Sequence, residues 1–453
     1  MRPRRVSDVA RAVEGLFLGD DVEVNAIATD SRDVTTGSLF IALPGERTDG
    51  GRFVPEAFER GAAAALVRDG LDVDGPAVSV RSTGEALMML ARDERARMPA
   101  RVVAVTGANG KTSTKDLTAA VLSTTFRTHA SRESFNNEVG LPTTILTALP
   151  DTEVVVAEMG ARHVGDVAIL CGIARPDVAI VTNVGLAHME IFGSWERIVE
   201  ASAEPVEALD EDGVAILNAD DPVVIDYAGR CRGRVVTFGL SAGADVRAED
   251  VTLDREGCAT FTLAWAADHT PVSLSVPGEH MVANALAAAA TGVTLGVSLP
   301  SCAAALARAS VSRWRMETFT TAEGVRVVND AYNANPESTA VALRTARWMA
   351  GEGHLIAVLG TMAELGPIAE REHERIGELA ARIRVDRLIA VGETARPIAI
   401  ASVREGVEPE NVACYDDPAD VLDDVRRSAR TGDLVLFKGS RVAGLERLAE
   451  ALR

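Results

Sequence analysis

The sequence predicts an α/β protein of three domains, and three observations predict it. At 453 residues the chain exceeds what one hydrophobic core organises, and at roughly 150 residues per domain it holds material for about three. Short β-branched runs alternate with Ala-rich helical stretches along nearly its whole length, the signature of sheets flanked by helices. The segment VVAVTGANGKTSTKDLTAAVL then reads as an apolar strand, a glycine turn and a long amphipathic helix, the order in which a phosphate-binding domain opens.

Residues 1–97 pair strand-like runs such as GSLFIAL with helical stretches such as PEAFERGAAAALV and contain no phosphate loop, so they are expected to form a small α/β binding domain. Residues 98–312 are expected to form a central P-loop-type, parallel-sheet domain. Its later strands, VVVAEMG, DVAIVTNVG and GVAILNADDP, are buried-type runs ending in Gly, Asn or Asp, as when the carboxyl ends of parallel strands face a ligand. Residues 313–453 alternate VRVVND, LIAVLG, RLIAVG and DLVLFKG with helices, so a doubly wound, Rossmann-like domain is expected there.

Composition excludes several functions. A surplus of 66 acidic over 46 basic residues, net charge -20, argues against nucleic acid as the partner, although a local cluster of cations can still serve an anionic ligand. The five cysteines, Cys171, Cys231, Cys258, Cys302 and Cys414, have no CxxC pairing and are expected to be reduced and mostly buried. The segment MRPRRVSDVARAVEG lacks the apolar region of a secretion signal, and no run approaches the roughly 20 apolar residues of a membrane span, so the cytoplasm is the expected compartment.

The loop Thr106, Gly107, Ala108, Asn109, Gly110, Lys111, Thr112 and Ser113 lies between strand and helix, where backbone amides and a helix N-terminus surround phosphate oxygens. Lys111 supplies a point charge to the outer phosphates, the Thr112 hydroxyl can ligate Mg²⁺, and Gly107 and Gly110 permit the tight turn. Glu158 ends the next strand, within reach of a magnesium ion bridging nucleotide and substrate, and His188 follows the strand after that. Asn136 and Asn137 offer amides for polar recognition; the nearby Gly and Pro suit a turn, which does not itself need two adjacent Asn. In NDAYNANPEST, Asp330 can accept a ribose hydroxyl, Tyr332 can pack on a base, and Asn333 and Asn335 are amides at the same turn. Lys438 and Arg441, in KGSRVAG, can pair with a peptide carboxylate.

Taken together these segments resemble the Mur ligase family. The short loop TGxNGKT(S/T) is shared by Mur ligases and folylpolyglutamate synthetases; Asn183, Gly185 and His188 reproduce the family's TNxxxxH, and GEHMVANALAA its adenine-pocket segment, with Met281 where Asn is usual. The resemblance places His280 and Asn284 at that pocket. It assigns Arg315, with Arg313 close by, to the γ-phosphate, and makes Lys111, Glu158, His188 and Arg315 catalytic, with Thr112, Glu158 and His188 around Mg²⁺. Glu364, in GTMAELG where Thr361 replaces an acidic residue, joins Asn136, Asn137, Lys438 and Arg441 as substrate-binding. In the first domain DSRDVTTGSLF places Asp30, Ser31 and Arg32 at a UDP-sugar, with Gly51 where His is usual. Ser202 stands where most of the family carry a lysine that reacts with carbon dioxide.

What the resemblance implies is an ATP- and Mg²⁺-dependent amide ligase, active as a monomer, and the C-terminal blocks look like those of members that join D-alanyl-D-alanine to UDP-MurNAc-tripeptide, a peptidoglycan precursor. A family ligase with another amine acceptor, or a catalytically weakened nucleotide-binding regulator, are the alternatives.

Overall fold

In the computed structural model, which describes residues 1–45 and 48–453, the apolar runs assemble into three main sheets. The first has five strands in the order Leu16–Leu18, Ala77–Val80, Ala64–Arg68, Ser38–Ile41, Ala26–Ala28, all parallel except the Leu16–Leu18 edge. Parallel strands must have both faces covered. One face here is closed by Thr83–Arg97, a helix capped by Ser82 Oγ accepting from the Glu85 amide at 3.3 Å.

The central sheet has nine strands. From Thr128–Ala130 the order runs Val154–Glu158, Arg101–Thr106, Val178–Val181, Val214–Asn218, Arg234–Gly239, Val246–Leu253, Cys258–Trp265, Asp268–Pro277. Pairing is parallel as far as Val246–Leu253 and antiparallel beyond it, so an antiparallel arm absent from the sequence expectation extends the parallel core. Arg101–Thr106 lies between Val154–Glu158 and Val178–Val181; the chain winds to one side of it first and to the other later. That reversal opens a crevice at the carboxyl ends of these three strands, where open α/β sheets place their ligands.

The third sheet orders its strands Glu317–Thr320, Arg326–Asp330, Leu434–Lys438, Leu355–Gly360, Arg387–Val391, Val412–Tyr415, parallel apart from the first pair. Separate apolar clusters cover its two faces, one around Leu343, Leu359 and Ile376, the other around Val358, Phe437 and Val425, which is the doubly wound arrangement expected.

The cores also say how the domains are joined. One cluster runs from Val6, Leu87 and Leu90 into Val102, Ala104, Leu141 and Val155, so the first sheet and one face of the central sheet share a single dry core. The clusters of the third sheet, by contrast, contain residues from 316 onward only.

The five cysteines are free; Cys171 and Cys302 are buried, Cys231 and Cys258 half-buried and Cys414 exposed, so burial is less general than expected. Cys414 lies on the edge strand Val412–Tyr415, beside which no further strand pairs among the described residues. Among the described residues no helix is long and apolar enough to cross a membrane.

Candidate functional site

The crevice is a cavity of about 850 Å³ between the central and third sheets. Its floor is the loop after Arg101–Thr106. Gly107 has φ 133° and Gly110 φ 78°, and a side chain on either would strike Thr182 Oγ1 or Asn284 Oδ1, so both positions require glycine for conformation and for space. Thr182 Oγ1 and Asn183 Nδ2 donate to the Asn109 carbonyl at 2.7 and 3.0 Å, and Asn183 Oδ1 accepts from the Asn109 amide at 2.8 Å. The strand end at residue 182 thus fixes the loop, which leaves Ala108, Gly110, Lys111, Thr112 and Ser113 to line the cavity at the start of helix Lys111–Leu122. Thr106 turns away, its hydroxyl donating to the Met159 carbonyl at 3.0 Å, and with Gly107 lies outside the lining.

Above the loop sits a cluster of polar groups drawn from four segments. Thr112 Oγ1 donates to Glu158 Oε2 at 2.7 Å, and Asn136 Nδ2 donates to Glu158 Oε1 at 2.8 Å, so both carboxylate oxygens face fixed donors. Arg315 Nη2 donates to Thr112 Oγ1 at 2.7 Å and to Ser134 Oγ at 3.0 Å, and its guanidinium lies over the Tyr332 ring at 4.3 Å. Asn137 caps the turn that presents these groups, accepting from the Gly140 amide at 2.9 Å. Lys111 Nζ bonds the Gly107 carbonyl at 2.7 Å. Burial pushes the Lys111 ammonium below its ordinary value, Glu158 raises it and Arg315 lowers it again. Two cations over a phosphate-type loop are a strongly anion-attracting arrangement on an otherwise acidic chain.

The third domain closes the cavity with Asp330, Tyr332, Asn333, Asn335 and Lys438. Asn335 caps helix Pro336–Ala350 through Ser338, while its Nδ2 reaches Asn109 Oδ1 at 2.7 Å across the domain boundary. His280 and Asn284 complete the wall from helix His280–Leu295. Asn284 is buried and His280 half-buried, and the buried Nδ1 of His280 has no partner among the described residues; burial lowers its pKa, Asp330 raising it and Lys438 lowering it further.

His188 lies in the same wall with its Nδ1 hydrogen-bonded to Glu364, whose other oxygen accepts from Arg162 at 2.9 Å. Burial pushes the His188 imidazole below its ordinary 6.5; the bond to Glu364 opposes this, and the Lys111 charge adds to it.

The structure therefore gathers most of the expected residues in one cavity and leaves the others outside it or held by partners of their own. Lys438 was expected to bind a peptide carboxylate, but it is buried, 2.7 Å from Asp330 Oδ2 and donating to the Asn333 carbonyl at 2.7 Å. Its charge is already neutralised, and it braces the NDAYNANP turn. Arg441 is exposed and outside the lining, over the Trp314 ring at 4.3 Å and 3.4 Å from Glu446. Glu364 is likewise outside the lining and held by His188 and Arg162. Arg313 pairs with Glu450, so Arg315 alone of the two enters the cavity. Ser31 and Arg32 lie in the first domain, which contributes nothing to the lining among the described residues; Ser31 Oγ donates to Glu56 at 3.2 Å, and Arg32 is bound to Asp30, whose carboxyl it holds down at about 2. Ser202 sits in helix Trp195–Glu207, where the Tyr227 hydroxyl donates to the Val199 carbonyl at 2.8 Å, and nearby Glu204 is committed to the Gly165 and Ala168 amides at 2.6 and 2.7 Å.

Two contributors escaped the sequence reading. Ser134 adjoins the paired asparagines and needed only to be read with them. Lys115 is buried, its Nζ donating to the Ser131 and Glu133 carbonyls at 2.7 Å each, and so fixes the segment that carries Ser134 and Asn136; its position one helical turn beyond Lys111 was the available signal.

Comparison with known proteins places this geometry. Residues 23–104 match the Mur ligase family catalytic domain, 105–292 the Mur ligase middle domain and 314–441 the Mur ligase glutamate ligase domain. The chain is 36% identical to the UDP-N-acetylmuramoyl-tripeptide--D-alanyl-D-alanine ligase of Bacillus subtilis, covering 100% of this chain and 99% of that one. It is 35% identical to the enzyme of the same name from Escherichia coli, covering 99% and 98%. Among solved structures, MurF from Acinetobacter baumannii superposes with TM-score 0.88 at 30% identity over 99% of this chain and 98% of that one. MurF ligase from Thermotoga maritima in complex with ADP gives 0.81 at 30% identity over 94% and 96%.

Proposed function

The chain belongs to the Mur ligase family, and from that premise we propose that it is the ATP-dependent ligase that joins D-alanyl-D-alanine to UDP-N-acetylmuramoyl-tripeptide. The γ-phosphoryl group of ATP passes to the terminal carboxylate of the tripeptide, the dipeptide amine attacks the resulting acyl phosphate, and ADP and phosphate leave. The observation that carries this reading is the cluster at the mouth of the phosphate loop, where Lys111, Thr112, Glu158 and Arg315 meet in one cavity.

Phosphoryl transfer is governed by positioning and charge neutralisation. Lys111 and Arg315 approach the outer phosphates from two domains and offset the charge that the transfer develops. The resting bonds of Lys111 to its own loop carbonyls and of Arg315 to Thr112 and Ser134 are the contacts that phosphate oxygens replace. Asp330 and Tyr332 line the cavity beside the loop and would take the ribose and the base, with His280 and Asn284 in the same lining. Closure by Asn335 and Tyr332 keeps water from the acyl phosphate.

The donor set suits Mg²⁺. Thr112 Oγ1 and Glu158 Oε2 are hard oxygens 2.7 Å apart at the phosphate loop, and a small ion that retains waters and phosphate oxygens needs few protein ligands. Thr112, Glu158 and His188 are the residues that would hold it, where it would neutralise developing phosphate charge. We place domain borders near 97/98 and 312/313, with Ser31 and Arg32 at the UDP-sugar end, and read the protein as a cytoplasmic monomer. Phosphate release from ATP tests the reading: it should require the UDP-linked tripeptide and D-alanyl-D-alanine together. Release with ATP alone, or with either substrate omitted, would identify a different enzyme.

A further inference from the structure

His188 and Glu364 come from different domains, and each has a left-handed backbone without being glycine, with φ 58° and 61°. Such conformations cost free energy and persist where the surroundings enforce them, commonly at functional sites. Here the two strained residues face each other. His188 Nδ1 is bound to Glu364 Oε2, Arg162 Nη2 donates to Glu364 Oε1 at 2.9 Å, and the Glu364 carbonyl accepts from the Glu190 amide at 3.0 Å. An ionised carboxylate only accepts, so the imidazole nitrogen facing it must carry the proton. Among the described residues none bonds His188 Nε2, and His188 lines the same cavity as Lys111.

We propose that Glu364 is a positioning residue: delivered by the third domain, it fixes the Nδ1–H tautomer of His188 and so turns a lone pair on Nε2 towards the reaction cavity only when the domains are docked. The inference rests on the ligase reading for the meaning of that lone pair, but its physical content, a tautomer set across a domain boundary, does not. A histidine that accepts a proton or ligates a cation through one nitrogen is oriented by what the other nitrogen donates to.

Arg162 makes the arrangement directional. In Glu364→Gln the single amide oxygen is drawn to the Arg162 guanidinium, because a charge-assisted bond is the stronger one. The amide NH₂ then faces Nδ1 and demands a lone pair there, which reverses the tautomer without altering volume. A merely structural Glu364 would tolerate this change.

The test is a long-range ¹⁵N–¹H spectrum of the full-length chain labelled at histidine, with the His188 signal identified by its loss in His188→Gln. Wild type should show Nδ1–H, Glu364→Gln should show Nε2–H, and Glu364→Ala a mixture. In steady-state assays of the ligase, Glu364→Gln should lower kcat by about 10- to 100-fold with little change in the KM of any substrate. An Nε2–H or doubly protonated His188 in the wild type overturns the proposal, as does Glu364→Gln that keeps Nδ1–H or keeps full kcat. If the wild type lacks ligase activity the reading of function fails, yet the spectra still decide the tautomer.

Discussion

At the scale of single residues, chemistry concentrates in side chains whose positions are fixed by backbone features visible in the sequence. Lys111 follows a glycine at φ 78° and, among the described residues, bonds carbonyls of its own loop, so the proposed phosphate role asks little of its ammonium in packing. Lys111→Ala should therefore lower kcat by at least about 100-fold, in line with the loss of one transition-state donor, while stability stays within about 1 kcal/mol. Wild-type turnover in that variant would remove the phosphate-loop assignment. Glu158→Gln keeps the bond from Asn136 but loses the charge opposite Thr112, and the Mg²⁺ concentration for half-maximal rate should rise about tenfold or more. An unchanged Mg²⁺ titration would show that Glu158 serves only the protein. These residues were legible because a strand end and a glycine loop specify where their side chains go. The resting partners of Lys438 and Arg441 were not legible, because spacing reveals a cation but not the Asp330 or Trp314 beside it.

Among elements, the parallel strands were readable as continuous apolar runs, since VVVAE and VAIV are buried at every position. The antiparallel arm from Val246 to Pro277 was not, because its strands are half-exposed and interleave Arg, Glu, Thr and Ser with the apolar residues. Helix Ala369–Arg382 shows an element serving the site from a distance. Its buried His373 donates from Nδ1 to the Ala369 carbonyl at 2.7 Å and accepts at Nε2 from the Met362 amide at 2.9 Å, two residues before Glu364. Burial, the largest cause, holds His373 below its ordinary 6.5, against the Ala369 carbonyl and Glu372. The unfolded chain takes up the proton first. The stability contributed by a neutral His373 is thus complete above about pH 6.5 and is lost as pH falls towards the lowered folded value, with a slope of at most about 1.4 kcal/mol per pH unit. Thermal melts across this range should show a shallower acid decline for His373→Gln than for wild type; parallel curves would show that His373 is not a source of the decline.

For the whole molecule, the difference in how the domains are joined is the feature with functional consequence. The first and central domains share one apolar cluster, whereas the third meets the site through individual polar bonds: Arg315 to Thr112, Asn335 to Asn109, Glu364 to His188. Interfaces of the second kind permit relative domain motion, and the cavity they enclose is the one that must exclude water. The succession of three α/β units was legible from alternating apolar runs and the change of pattern near residues 299–315, because each unit builds its own sheet. Domain docking was not, since single hydrogen bonds between residues 226 positions apart leave no periodic trace. The central claim concerns which amine this assembled site accepts. Incubating the protein with ATP, Mg²⁺, UDP-N-acetylmuramoyl-tripeptide and an equimolar mixture of D-alanyl-D-alanine, D-glutamate, diaminopimelate and L-lysine, then weighing the products by mass spectrometry, tests it most directly. The account predicts one product, the tripeptide precursor extended by D-alanyl-D-alanine; a product carrying any of the other three amines would contradict it.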